Sequence, residues 1–242
     1  MKREYQRWYS PNLERDMELL IFGHRGTPIL FFPTRMARFY DYEDWGVIGA
    51  IRDKISRGKI QVYCVDSVDG NSFYAKDLHP SERVKRHSCY EKYILNEVIP
   101  LIKSRNKNPG LISAGCSLGA FHAVNLCFRY PHLFKKVIGM SGRYDLTLKL
   151  QYFDDLFDGY WDENVYFNTP VQYLQNFNDE QLIRSLQKIE IILAIGLEDA
   201  FLENNILLST LLQEKGIRNR LDFLPGEAHK ARYWGELLQQ YL

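Results

Sequence analysis

Gly115-Cys116-Ser117-Leu118-Gly119 sets a serine between two glycines, each two residues away. Leu111 to Ala114 reads as an apolar strand running into this motif, and Phe121, Val124 and Phe128 form the apolar stripe of a helix leaving it. A strand that turns sharply into a helix needs small flanking residues, because side chains at Gly115 and Gly119 would collide with the neighbouring strand and helix. Such a turn lifts Ser117 Oγ clear of a sheet. It also leaves the Leu118 N–H free at the positive end of a helix, where it can meet a developing oxyanion. Cys116 is a competing nucleophile, but the residue before the serine points into the core at such an elbow, and we read it as structural. An ordinary serine in a glycine-rich turn satisfies the same five letters, so the reading depends on partners.

A serine hydroxyl is a weak nucleophile at neutral pH. It needs a base within hydrogen-bond reach and a carboxylate that holds the base in the right tautomer. In this kind of fold both come late, in the order serine, acid, histidine. Ile191 to Ile195 reads as a strand that ends at Gly196-Leu197-Glu198-Asp199, and Leu221 to Leu224 as one that ends in Pro225-Gly226-Glu227-Ala228-His229. Asp199 and His229 therefore fall at carboxyl ends of strands, where open α/β sheets build their sites. Of the six histidines only His229 follows a late strand. His24, His79, His87, His122 and His132 read as surface or core residues. Glu198 is the rival acid, and Asp145 a more distant one. No HExxH or paired Cys/His spacing is present, so neither a metal nor a cofactor is expected.

Elements able to hold these residues recur along the chain. Residues 4 to 22 read as a hairpin turning at Ser10-Pro11-Asn12. Apolar runs at Ile29 to Phe32, Ile60 to Val65 and Val137 to Met140 have the texture of strands buried on both faces. Helical periodicity lies between them: Tyr90, Ile94, Val98 and Leu101 make one stripe, Leu207, Leu208, Leu211 and Leu212 another before Gly216, and Ala231, Trp234, Leu238 and Tyr241 a last. Alternating strand and helix predicts a mostly parallel twisted sheet with helices on both faces and an antiparallel N-terminal hairpin, in a single domain over 1–242.

Composition narrows the function classes. Thirty-one Lys+Arg against thirty Asp+Glu give a formal charge of +1, without the basic excess of a nucleic-acid binder. Four cysteines without CxxC spacing fit buried free thiols in a reducing compartment, and Met1 to Pro11 lacks the apolar run of a signal peptide. No apolar run approaches the roughly 20 residues that span a bilayer. We expect a cytoplasmic protein with no membrane partner, and the composition leaves room for a homo-oligomer.

The chain resembles the putative-esterase family of the α/β-hydrolase superfamily, the group related to esterase D, feruloyl esterases and enterochelin esterases. The likeness rests on Tyr90-Glu91-Lys92-Tyr93 with Glu97-Val98-Ile99-Pro100, GCSLGA at Gly115 to Ala120, and Arg129-Tyr130-Pro131-His132-Leu133-Phe134. Gly196 to Asp199, Lys215-Gly216-Ile217, and Gly226 to His229 followed by Tyr233-Trp234 extend it over most of the chain. The resemblance implies a Ser117, Asp199, His229 triad and hydrolysis of carboxylic esters. Relatives often carry a His-Gly-Gly loop after the third strand to supply the second oxyanion N–H. Here Phe32-Pro33-Thr34-Arg35-Met36-Ala37 stands instead, and a backbone donor can come from Thr34 or Arg35.

Residues 145–188 are longer than a minimal crossover and read as an aromatic-rich insert, with Tyr152, Phe153, Phe157, Tyr160, Trp161, Tyr166, Phe167, Tyr173 and Phe177. These either line a substrate pocket or pack the insert onto the domain, and Tyr160 and Trp161 are the residues we expect at the substrate. Asp66, after the Val65 strand end, is expected to border the same crevice. Arg35 and Arg38 could meet an anionic substrate group, although arginines are more often solvated surface residues. The expected partner is a small-molecule ester. The same triad would serve a thioesterase or acyltransferase, and an inert esterase-like binding module could keep the elbow as scaffold.

Overall fold

A computed structural model describes all 242 residues. Eight strands form one sheet: β1 (Arg3–Ser10), β2 (Arg15–Phe22), β3 (Thr27–Phe32), β4 (Ile60–Val65), β5 (Leu111–Cys116), β6 (Phe134–Met140), β7 (Glu190–Gly196) and β8 (Arg220–Leu224). Their spatial order is β1-β2-β4-β3-β5-β6-β7-β8. The β1–β2 and β2–β4 pairs are antiparallel, and every pair from β4 to β8 is parallel. β4, β5 and the end of β3 are wholly buried, as the unbroken apolar runs demand of strands covered on both faces.

Alternate side chains feed two cores. Leu30, Phe32, Tyr63 and Val65 enter the larger one beneath helices α1 (Pro80–Tyr93), α2 (Leu118–Arg129) and α3 (Leu202–Glu214). Ile29, Phe31, Val62 and Cys64 enter the other, covered by the short helical turns of residues 41–56 and by α4 (Ala231–Tyr241). A third cluster packs the 145–188 connection onto the molecule, with Leu156, Phe157 and Val165 against Phe73, Val84, Leu118 and Phe121. No helix is long and apolar enough to cross a membrane.

The stripe expected from Tyr90 to Leu101 changes phase. Residues Ile94–Val98 form a wide π turn, so Tyr90, Ile94 and Val98 are buried but Ile102 takes the inward place assigned to Leu101. Pro100 follows at once, and it has no N–H to return to the Asn96 carbonyl, so the wider turn relieves its ring. That turn carries Glu97, whose carboxylate accepts from Trp8 Nε1 (2.7 Å), Ser10 Oγ (2.7 Å) and Asn12 Nδ2 (2.6 Å). The N-terminal hairpin is fastened to the body there. Burial alone would raise the Glu97 carboxyl, but these hydrogen bonds hold it below its ordinary value. A depressed carboxylate stabilises the fold above its unfolded pKa and ceases to as pH falls through the folded value. Glu97→Ala is expected to cost about 1–2 kcal/mol near neutral pH, with the difference from the parent shrinking below about pH 4 in urea titrations.

Candidate active site

Four strand ends, those of β3, β5, β7 and β8, are brought together through backbone contacts that only glycine allows. A Cβ on Gly115 would lie 2.1 Å from the Gly119 carbonyl oxygen, and one on Gly119 would lie 2.4 Å from that of Phe32. The first contact bends β5 into α2, and the second seats the start of α2 on the end of β3. Ser117, at the bend, has φ +55° and ψ −119°, a conformation that costs a side-chain-bearing residue energy and persists only when its surroundings dictate it. Its N–H donates to the Met140 carbonyl at 2.8 Å, and its own carbonyl receives the N–H groups of Ala120 and Phe121. Cys116 is fully buried, and burial pushes its thiol well above the ordinary range, which removes it as a rival nucleophile.

The late loops are joined in the same way. A Cβ on Gly196 would lie 2.1 Å from the Glu227 carbonyl oxygen, so the end of β7 and the loop after β8 touch backbone to backbone. Leu197 N–H donates to Leu224 and Glu198 N–H to Gly226, both at 2.9 Å. Asp199, rather than Glu198, turns inward: it is buried, it caps Phe201 N–H through Oδ1 at 3.0 Å, and its Oδ2 lies 2.8 Å from His229 Nδ1. Ala228, at φ +53°, turns the chain just before the imidazole.

Ser117 and His229 line one cavity of about 270 Å³ together with Thr34, Arg35 and Leu118. Neither the Thr34 nor the Arg35 N–H has an acceptor within the protein. Leu118 opens α2, so its N–H lacks an intrahelical partner. The Thr34 loop is held from behind. Asp69 is buried, its Oδ2 accepts the Met36 N–H at 2.9 Å, and its Oδ1 lies 3.6 Å from Nε2 of the buried His122.

Asp66, Tyr160 and Trp161, expected at the substrate, do not line the Ser117 cavity. Asp66 borders a separate depression, with Oδ1 receiving Arg38 Nε at 2.8 Å, so its polar capacity is spent on the protein. Trp161 is exposed and hydrogen-bonds Gln172, while Tyr160 packs on His79 and the cluster around Phe157. Of the insert's aromatics, only Phe153 reaches the Ser117 cavity; Tyr166, Phe167, Tyr173 and Phe177 line a different one of about 540 Å³. Tyr74, Arg143, Phe201 and Trp234 complete the first cavity and were not singled out for it in the sequence. Arg143 follows the end of β6 as closely as Asp199 follows β7, so the strand-end rule would have found it.

A family model described as Putative esterase matches residues 40–242. Among solved structures, a ferulic acid esterase is similar with a TM-score of 0.79 at 17% identity, over 100% of this chain and 96% of that one. FphF, a fluorophosphonate-binding serine hydrolase of Staphylococcus aureus, gives 0.76 at 15% identity over 99% and 96%. The S-formylglutathione hydrolase FrmB, also from Staphylococcus aureus, gives 0.71 at 13% over 99% and 96%. No curated protein is similar enough in sequence to match. The likeness to solved structures establishes an α/β-hydrolase fold, and with the family model spanning most of its length the chain belongs to the Putative esterase family.

Proposed function

We propose that the chain hydrolyses a small-molecule carboxylic ester with Ser117 as nucleophile, His229 as base and Asp199 as the group that orients the base. The observation that carries this is the 2.8 Å contact between His229 Nδ1 and the buried Asp199 carboxylate, made by a histidine that shares a cavity with an elbow serine. With Nδ1 donating to Asp199, Nε2 is the nitrogen left to accept the Ser117 proton. Attack on the ester carbonyl gives a tetrahedral oxyanion, which the Leu118 N–H and a free N–H of Thr34 or Arg35 stabilise. Collapse expels the alcohol, protonated by His229, and leaves an acyl-enzyme. Water, deprotonated by His229, then releases the acid and restores the serine. Every proton in this cycle passes through one imidazole, so no metal or cofactor is called for.

The mechanism is tested by steady-state hydrolysis of 4-nitrophenyl acetate. Ser117→Ala and His229→Ala are expected to lower kcat/KM by about 10⁴-fold or more, and Asp199→Asn by a similar order through the wrong imidazole tautomer. Retention of activity within a few-fold in either of the first two would refute the assignment. Gly196→Ala drives a methyl into the Glu227 carbonyl, and we expect at least a tenfold loss of kcat with the circular dichroism spectrum unchanged. Asp69→Ala releases the Met36 N–H and slackens the loop beside the serine; the expected result is a kcat about tenfold lower at nearly constant KM, since an oxyanion contact strengthens only in the transition state.

A further inference from the structure

The Ser117 cavity is basic although the chain as a whole is nearly neutral. Two arginines, Arg35 and Arg143, line it, and none of its lining residues carries a carboxylate. Arg143 is buried and lies within 4.0 Å of no acidic group, whereas the other buried or half-buried guanidinium groups are all paired, Arg38 with Asp66, Arg83 with Asp158 and Arg129 with Glu91; Arg35, which is exposed, also has no acidic partner.

Arg143 is the more telling of the two. It is only 4% exposed, yet its partners are all backbone carbonyls: Nε donates to Asp145, and Nη2 to Leu146, Leu148 and Asp154. The nearby carboxylates are committed to local turns, Asp145 to Thr147 and Asp155 to the N–H groups of Phe157 and Gly159. Burial pulls the Arg143 guanidinium below its ordinary range; the charges of Tyr74, Asp145 and Asp155 oppose that shift without cancelling it, and the charge of Arg35 adds to it. A buried cation without a counter-ion is costly, and carbonyl dipoles offset only part of the cost. Strapping the 145–154 loop explains Nε and Nη2. It does not explain Nη1, which donates to nothing in the protein, nor the second arginine on the same cavity. Tyr74 lies beside both, and their charges oppose the rise that burial imposes on its hydroxyl.

We infer that the substrate is an ester carrying an anionic group, a carboxylate or a phosphate, which Arg143 and Arg35 receive in the Ser117 cavity while the ester carbonyl lies at the serine. This rests on the proposed esterase reading and names its substrate class. A guanidinium edge presents parallel N–H donors that match either anion, and an incoming oxyanion would supply the missing countercharge. At about 270 Å³ the cavity holds a short group rather than a long chain.

Two pairs of esters, each differing in one anionic group, test this. On the acyl side, 4-nitrophenyl hydrogen succinate is compared with 4-nitrophenyl butyrate. On the alcohol side, 1-acetylglycerol 3-phosphate is compared with 1-acetylglycerol. In at least one pair the anionic member is expected to have a kcat/KM tenfold or more above its neutral partner, and the responding pair identifies which part of the substrate bears the charge. Arg35→Gln and Arg143→Lys should each cut that ratio several-fold, and Arg143→Met more so; Arg143→Lys keeps the cation should the methionine variant fail to fold. Binding is also measured calorimetrically on Ser117→Ala, which does not depend on turnover. Monomethyl succinate or 1-acetylglycerol 3-phosphate should bind at least tenfold tighter than methyl butyrate or 1-acetylglycerol, respectively. Neutral esters processed and bound as well as charged ones in both pairs, or ratios unmoved by all three arginine variants, would overturn the inference while leaving the triad standing. Anion-selective binding by Ser117→Ala, together with a parent that turns over neither pair, would instead uphold the anion site and refute the esterase reading.

Discussion

Everything at this site depends on bare backbone meeting bare backbone at the carboxyl end of the parallel sheet. Gly115 lets β5 fold back on α2, Gly119 lets α2 sit on the end of β3, and Gly196 lets the loop after β7 lie on the loop after β8. Those contacts bring residues 34, 117, 199 and 229 into one place without long side chains as spacers. Interiors are packed too tightly to absorb an added methyl at separations near 2 Å, so the geometry is discrete rather than adjustable. The left-handed backbone of Ser117 is the energetic counterpart: strain localised at the elbow serine and held by the surrounding sheet.

Behind that frame the polar groups divide into those satisfied by the protein and those left available. Asp199 is wholly engaged, with one oxygen on His229 and the other on the Phe201 N–H, which fixes the imidazole. Asp69 similarly holds the Met36 N–H and keeps the loop from β3 in register with the elbow. The unspent donors include the Thr34, Arg35 and Leu118 N–H groups and Nη1 of Arg143, and all four residues line the cavity that contains Ser117. A ligand that brings oxygen atoms with excess negative charge, first on its own anionic group and then on the tetrahedral carbon, meets complementary donors already in place.

The sheet was legible because buried parallel strands write themselves as apolar runs; Ile60 to Val65 is read with both boundaries intact, and Ser117, Asp199 and His229 follow from glycine spacing and strand ends. Helix phase was harder to read. The π turn at Ile94–Val98 exchanges Leu101 for Ile102 on the buried side, and periodicity assumes a constant 3.6 residues per turn that Pro100 breaks. Hardest was the substrate side. Asp66, Tyr160 and Trp161 have suitable chemistry, but the path of a long connection is set by tertiary packing. That packing spends Asp66 on Arg38, leaves Trp161 at the surface and brings Phe153 to the cavity instead. Arg143 was hidden for a different reason, since a buried arginine and a solvated one look alike until the surrounding carbonyls are known.

The central claim, that Ser117 is a nucleophile activated by His229, is tested most directly by covalent capture. The protein is treated with a fluorophosphonate, and the modified peptide is mapped by mass spectrometry in the parent and in His229→Ala. The account predicts a single adduct on Ser117, formed quickly in the parent and far more slowly without the imidazole. An adduct on another residue, equal rates in the two proteins, or no adduct at all would contradict it.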